Sequence, residues 1–549
     1  MATVVFSMME LEKRGIERGD IQRLIDRLGA SVEGLEGDSI TVEFTPQRPD
    51  LLETNGLARA LRLIGGNHTP SKSDYQVSRE PYFKILVTPA AARTKRFVGG
   101  MVVKGAELSG GRLKELINFT EKYCDTYGRR RRKIAIGLHS LAAVKGNIRY
   151  DAARGGSITP LGTEAEMQFS EVLKRSEQGR AYSEIMDAYK SYPYIADDEK
   201  TLALVPIINS EMTRVTESTK DLFIDITSSS MSALDETANI LACMFIDSRA
   251  KVMGCAVELQ AGKGYFTPSM EYREMRLRSP RIEKSLGIVL DNSKMVSLGN
   301  RMGHVAAKYG NGIIFFVPPY RVDVLGERDL IEDIAIAYGY DRIKPLPVYG
   351  DSVGVPDELV ERGERVSLIE LGLGFSEAMG NYLTNEEQNF DMMRRSRDGA
   401  GAVAISYSKT GRISMLRTSV LPSLMSALSK SSQERMPQRL FEIGGAFRME
   451  GGRPVERTHV SMVSEHTRSN FSEMKAYVNA IVWAAGAGRA GFERHSDPAF
   501  IEGRCASVSI NGRRIGVMGE IHPEVLSNFR IEEPVSAAEL ELEALFQGR

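Results

Sequence analysis

Apolar positions change their spacing several times along this chain. Ile21 to Leu28 (IQRLIDRL) has helical spacing, SITVEFTP alternates as a strand does, and Leu51 to Ile64 (LLETNGLARALRLI) returns to helix before Gly65-Gly66. Between that strand and the second helix, Pro46-Gln47-Arg48-Pro49-Asp50 reads as a rigid turn carrying two exposed charges. From about 80 to 265 the pattern turns to short strands among helices: YFKILVTP, RFVGGMVVKG, KIAIGLHS, LALVPIIN and DLFIDITSS are rich in β-branched residues and bordered by turn residues. A mixed sheet in one α+β domain follows from that pattern.

Two helices (PRIEKSLGIVL, SLGNRMGHVAAKYG), a strand (GIIFFVPP) and an acid-rich helix come next, an order compatible with a winged-helix-like or small α/β module. A linker from Pro345 to Pro356 leads to a last α/β domain. Its clearest strands are RLFEIGGAFRM, HVSMVSE and the hairpin CASVSINGRRIGVMGEI, in which Asn511-Gly512 is a strong two-residue turn signal. No internal repeat is visible.

Length and charge narrow the function classes. At 549 residues the chain calls for about three or four domains. Its 71 Lys plus Arg nearly balance 72 Asp plus Glu, so any nucleic-acid contact must be local rather than a product of global basicity. The strongest local candidate is Arg129-Arg130-Arg131-Arg132-Lys133, which is either a solvated surface or a phosphate contact. The 4 cysteines lie far apart and read as reduced thiols, with neither a zinc knuckle nor a disulfide framework. The amino terminus lacks the features of a signal peptide and no apolar run reaches about 18 residues, so a cytoplasmic protein with no membrane span is expected.

Candidate chemistry concentrates in PPYRVDVLGERDLIEDIAIAYGYDRI. Asp329, Glu332 and Asp333 share one face if the segment is helical, and Asp323 reaches that face from the preceding strand end. Four converging carboxylates repel one another unless a cation sits among them, and an all-oxygen set suits Mg2+. The alternative is an acidic, solvated helix surface.

The same block resembles the β subunit of phenylalanyl-tRNA synthetase of the archaeal/eukaryotic type, and the resemblance runs along nearly the whole chain. TPQRPDLLETNGLARALRLIGG is similar to the family's amino-terminal block. RRRRKIAIGLHSL and PIINSEMTRVTESTKDLFIDIT are similar to its editing domain, and LRTSVLPSL with LFEIGGAFR to its synthetase-like domain. HPEVLSNFRIEEPVSAAELEL is similar to its carboxyl-terminal sheet. The resemblance implies an α+β multidomain chain: an amino-terminal α/β domain at 1–78, an editing domain with a mixed sheet at 79–266, a winged-helix-like module at 267–346, and a class II synthetase-like antiparallel-sheet domain without a catalytic site at 355–549. It implies Mg2+ held by Asp323, Asp329, Glu332 and Asp333, a partner α subunit in an (αβ)2 heterotetramer, and tRNA(Phe) as the RNA partner. Phenylalanine would be joined to tRNA at the expense of ATP on the α chain. The β copy is expected not to bind ATP, and no set of arginines and carboxylates around an ATP-sized site can be read from LFEIGGAFRMEGG; Arg448 reads as a surface arginine at a strand end. The longer bacterial subunits' extra modules are not expected.

The implied chemistry of this chain is hydrolytic editing of mischarged Tyr-tRNA(Phe). Its pocket is expected near Asn209, Ser210, Glu211 and Thr213 on one loop and Asp225 and Thr227 on the strand FIDIT, where polar groups meet the tyrosine hydroxyl and a positioned water attacks the ester. Structural roles compete: Asn209 and Ser210 as caps, Asp225 as a turn anchor, and His139 as a hydrogen-bonded core residue rather than a base. The chain departs from the resemblance at Met212, where a polar residue is expected, and at Ala203-Leu204, where a serine is common. Two rival functions are a freestanding hydrolase of mischarged aminoacyl-tRNA and a nucleic-acid-binding regulator built on the winged-helix-like segment.

Overall fold

The computed structural model describes residues 2–45, 47–260, 263–347, 350, 353–406 and 413–546. Two compact units result, Met1–Pro347 and Val348–Arg549.

The first unit begins with a three-stranded antiparallel sheet in which Ser39–Phe44 lies between Ala2–Ser7 and Ser31–Glu36. The helix Ile21–Arg27 and the amphipathic helix Thr54–Gly65 supply its apolar cover, as the spacing of Leu57, Leu61 and Ile64 demands. A ten-stranded mixed sheet follows. Its parallel pairs join Ser78–Val87 to Lys251–Leu259 and to Ile148–Ala153; Asp221–Ser228, next to one end, runs antiparallel to Phe97–Lys104 on one side and to the edge strand Ile134–Ser140 on the other. The helix Met231–Asp247 is buried along much of its length because it packs against this sheet. A module of a three-stranded sheet (Arg273–Arg278, Gly312–Val317, Val305–Lys308) and the helices Ser279–Leu286, Asn292–Arg301 and Glu327–Tyr338 completes the unit. The edge strands Arg273–Arg278 and Val305–Lys308 escape the sequence pattern, because their half-exposed, charged residues do not alternate strongly.

Buried ion pairs tie these parts of the first unit together. Arg48 donates two hydrogen bonds of 2.8 Å to Asp50, Arg59 pairs with both Asp50 and Asp247, and Tyr75 donates to Asp247 at 2.8 Å. The Arg59 guanidinium also lies 3.7 Å from the centre of the Tyr320 ring. The expectation of two exposed charges in the turn is therefore corrected: Asp50 is buried, the Arg48 side chain is 13% exposed and paired with it, and Pro46 lies outside the described residues. Helix and module close over the turn, and charges so enclosed persist only when paired.

The second unit is built on a seven-stranded sheet in the order Ser376–Glu377, Gln438–Glu450, Arg453–Glu465, Val535–Glu541, Arg513–Ile521, Phe500–Ile510, Gly491–Arg494. All neighbours are antiparallel except the first pair. Asn511 (φ 50°) and Gly512 (φ 80°) form the anticipated two-residue turn, whose left-handed backbone matches the twist of the hairpin. Helices Glu358–Gly372 and Phe471–Ala484 share one apolar cluster with the sheet, and Leu421–Lys430 and Pro523–Phe529 share another. All four cysteines are buried and free.

Candidate functional site

A cavity of about 150 Å3 lies where the loop Val205–Ile208 faces the strands Ile134–Ser140 and Asp221–Ser228. The two ends of the ten-stranded sheet approach here, and Asn209 Nδ2 donates to the Leu138 carbonyl at 3.1 Å. Small residues Ala135, Gly137 and Ala203 leave the space, while Asp225 and Thr227, two apart and hence on one face of their strand, provide its polar groups. Thr227 is buried and its Oγ1 has no hydrogen-bond partner among the described residues. A buried hydroxyl left unpaired is costly, and a ligand atom would satisfy it.

Behind the cavity, His139 is fully buried and bridges two of the expected residues. Its Nε2 lies 2.9 Å from Asp225 Oδ2 and its Nδ1 lies 2.8 Å from Thr213 Oγ1. Gly137 is required for this arrangement, since a Cβ there would stand 1.9 Å from Asp225 Oδ2. Lys95, buried behind the same region, donates to the Arg131 carbonyl at 2.8 Å; burial brings its amine down to about 7 despite the nearby Cys124 and Asp225. Of the six expected residues, Asn209, Asp225 and Thr227 line the cavity. Ser210 instead caps the single turn Glu211–Thr213, accepting from the Met212 amide and donating to the Thr159 carbonyl. Glu211 accepts from the Gly162 amide and pairs with Arg214, contacts that hold its carboxyl below the usual range. In the basic run, Arg129, Arg130 and Arg132 are exposed, whereas Arg131 lines the cavity and donates to the Ile207 carbonyl.

The acidic helix Glu327–Tyr338 distributes its carboxylates differently from the expectation. Arg321, buried, donates to both oxygens of Asp323 and both of Asp333, and His304 Nε2 lies 2.6 Å from Asp333. Burial opposes ionisation of Asp323 and Asp333, but Arg321 outweighs it and holds both carboxyls low, with Arg48 adding to the effect at Asp323. Asp329 caps the helix, accepting from the Leu325 and Gly326 amides at 2.7 Å, and Glu332 is exposed. The cation that the converging carboxylates require is thus a guanidinium. Among the described residues no three His, Cys, Asp or Glu side chains form a group that could hold a metal ion. Asp323 and Asp333 therefore do not fit an Mg2+ cage within this chain, while Asp329 and Glu332 keep oxygen donors on its accessible side.

The second unit carries a larger cavity. A cavity of about 830 Å3 lies over its sheet, lined by Arg395, Arg448, Arg457, Arg513 and Arg514 and by Glu450, Asp497, Glu539 and Glu541. The pattern is hidden in the sequence because these residues come from strands and loops spread over more than a hundred positions.

Three family models match the chain: the B3/4 domain over residues 114–245, the tRNA synthetase B5 domain over 275–340, and the phenylalanyl tRNA synthetase beta chain CLM domain over 346–542. The phenylalanine–tRNA ligase beta subunit of Archaeoglobus fulgidus is 35% identical over 556 residues, covering 100% of this chain and 99% of that protein. The chain belongs to the phenylalanine–tRNA ligase beta subunit family. The Methanosarcina barkeri member is 34% identical over 99% of both chains. The crystal structure of an N-terminal fragment of the Pyrococcus horikoshii phenylalanyl-tRNA synthetase beta subunit matches 62% of this chain and 100% of its own, with a TM-score of 0.59 and 27% identity. For this family member, sequence reasoning missed Lys95 and Gly137 around the first cavity, and it flagged Arg131 only as part of the basic run. Gly137 did leave a signal, since a glycine inside the strand KIAIGLHS marks a place of close approach.

Proposed function

We propose that this β subunit edits mischarged tRNA at the first unit's cavity while an α subunit carries out phenylalanine activation and transfer. The observation that supports editing most is the buried, unpartnered Thr227 hydroxyl beside Asp225 in a cavity of about 150 Å3. That is the volume in which a protein cavity accommodates one benzene ring. The tyrosine ring of Tyr-tRNA(Phe) would enter between Ala203, Leu204 and the Ala135–Gly137 strand. Asp225, oriented through His139 and Thr213, and Asn209 would meet the hydroxyl or hold the attacking water at the ester. Phenylalanine leaves such polar groups unsatisfied, so the site discriminates by the hydroxyl itself.

The finer domain division, with an editing domain at 79–266 and a winged-helix-like module at 267–346, belongs to the same proposal, as does a cytoplasmic location. Among the described residues no helix is long and apolar enough to cross a membrane. Docking of the α subunit is supported by the exposed apolar side of helix Glu358–Gly372, where Leu368 is 69% exposed and Val360 and Leu371 flank it. A patch of this kind on a soluble domain marks an interface. Assembly would proceed to (αβ)2 and the complex would bind tRNA(Phe). Mg2+ at the acidic helix is proposed only as a site completed by the partner chain, with Asp329 and Glu332 as the donors this chain has to offer.

The test uses the coexpressed complex. Asp225→Asn and Thr227→Val are expected to abolish hydrolysis of Tyr-tRNA(Phe) while phenylalanine-dependent ATP–pyrophosphate exchange persists. Undiminished hydrolysis in both variants would remove the editing assignment.

A further inference from the structure

The basic run at 129–133 follows the helix Arg112–Asp125, and Arg129, Arg130 and Arg131 all hold left-handed backbone, with φ of 51°, 52° and 62°. Three successive left-handed residues other than glycine are rare, because each Cβ crowds the carbonyl that follows it. The surroundings enforce the conformation. The amides of Arg129, Arg130 and Arg131 donate to the Thr126, Asp125 and Cys124 carbonyls at 3.1, 3.1 and 3.0 Å, and Lys95 Nζ holds the Arg131 carbonyl. A Cβ at Gly128 would stand 2.4 Å from the Cys124 carbonyl oxygen, so the chain folds back this tightly only through glycine. Strain of this kind persists where the geometry itself is used.

The turn separates one arginine from its neighbours. Arg131 lines the first unit's cavity, where its guanidinium donates to the Ile207 carbonyl and lies 4.3 Å from the centre of the Tyr182 ring. Arg129, Arg130 and Arg132 stay exposed, while Lys133 turns onto the Tyr127 ring. Arg132 reaches Glu184 at 3.3 Å, a pair open to solvent on both sides and therefore weak. Glu184 lies on the helix Glu177–Met186, whose Gln178 also lines the cavity, so the arginines stand beside its mouth. Arg129 and Arg130 have no ion pair among the described residues. Of the carboxylates on this side, Asp125 accepts from Tyr182, Glu236 accepts from Tyr127, and Glu121 lines the cavity itself.

We infer that Arg129, Arg130 and Arg132 hold the phosphates of the single-stranded 3′ end of tRNA as its aminoacyl terminus enters the cavity, an inference that rests on the editing reading above. The planar guanidinium fork meets phosphate oxygens in pairs, and contacts to backbone phosphates position a strand without reading its sequence. With a formal charge of -1 the chain as a whole does not draw RNA to every face, so an unmatched local run decides where the strand lies. The three arginines are positioning residues, and no step of the hydrolysis passes through them.

The test compares two substrates of the assembled enzyme: Tyr-tRNA(Phe), and tyrosyl-adenosine, which has the ester and the terminal nucleoside but no phosphate. In the Arg129→Ala, Arg130→Ala, Arg132→Ala variant the preference in kcat/KM for Tyr-tRNA(Phe) over tyrosyl-adenosine is expected to fall at least tenfold, through KM rather than kcat. The fall of log kcat/KM with log salt should become shallower by about 2, at about 0.7 for each phosphate contact in a single strand. The Arg129→Gly, Arg130→Gly variant relieves the left-handed strain as it removes two cations, so it should unfold at no lower temperature than the native complex and still lose preference for the tRNA. An unchanged preference and salt slope in the alanine variant, or a loss confined to kcat, overturns the inference and leaves editing in place. Variants that fold but no longer assemble with the α subunit overturn it as well, because the run would then be a docking surface for protein. A native complex that hydrolyses neither substrate removes the editing reading and the inference with it.

Discussion

Replacing Gly137 by alanine isolates the geometry of the first cavity from its composition. Gly137 pairs with Asp225 in an antiparallel ladder and has no left-handed backbone requirement, so alanine adopts the conformation freely. Its Cβ, however, would lie 1.9 Å from Asp225 Oδ2, and ordinary contact begins at 3.4 Å, so the carboxylate must retreat by the difference, about 1.5 Å. That displacement breaks the 2.9 Å contact with His139. A buried hydrogen bond to a charged group contributes about 1.5–3 kcal/mol. If Asp225 positions the reacting groups, the loss translates to about 10- to 100-fold in hydrolysis rate. The assay is deacylation of Tyr-tRNA(Phe) by the assembled enzyme, with phenylalanylation of tRNA measured beside it and expected unchanged. A Gly137→Ala, Asp225→Ala double variant should be no slower than Asp225→Ala alone, because both changes remove one interaction. Hydrolysis by Gly137→Ala within twofold of the native rate would refute the argument.

Three other predictions concern stability and metal. Arg321→Ala leaves the buried Asp333 without its guanidinium, with Arg48 still near Asp323, and should cost about 3–5 kcal/mol in urea unfolding followed by far-UV circular dichroism. The single tryptophan, Trp483, lies in the second unit and should not report this loss. The Asp329→Ala, Glu332→Ala double variant should lower the Mg2+ content of the purified complex if the partner completes a site there; unchanged content would remove both residues as ligands. Glu370 is fully buried without a hydrogen-bond partner among the described residues, and burial, with Glu377 nearby, pushes its carboxyl well above the usual range. The unfolded chain therefore ionises it above about 4.5 while the folded chain keeps it neutral, so stability is highest below that pH and falls by up to about 1.4 kcal/mol per unit as pH rises toward the folded value. Glu370→Gln should flatten this slope between pH 5.5 and 7.5 in unfolding followed by Trp483 fluorescence, and an unchanged slope would contradict it.

The two-residue hairpin at Asn511-Gly512, the helix Thr54–Gly65 and the strand Asp221–Ser228 were legible in the sequence because turn chemistry and apolar spacing act locally. The pair Asp225 and Thr227 was named through the family resemblance, and both line the cavity because residues two apart on a strand share a face. The family itself was legible in long blocks of sequence, which the full-length relatives bear out. What the chain's local pattern could not determine is which charge meets which. Arg48 and Asp50 read as exposed until the helices of the first unit closed over them, and the carboxylates of the acidic helix read as metal ligands until Arg321 proved to lie between two of them. The five arginines of the second unit's cavity are likewise scattered from 395 to 514. Pairing of buried charges depends on distances across tens or hundreds of residues, and a desolvated ion is so costly that small shifts in packing decide its partner. Spacing along the chain fixes the elements and their faces; only their closure in three dimensions settles what each charged side chain is for.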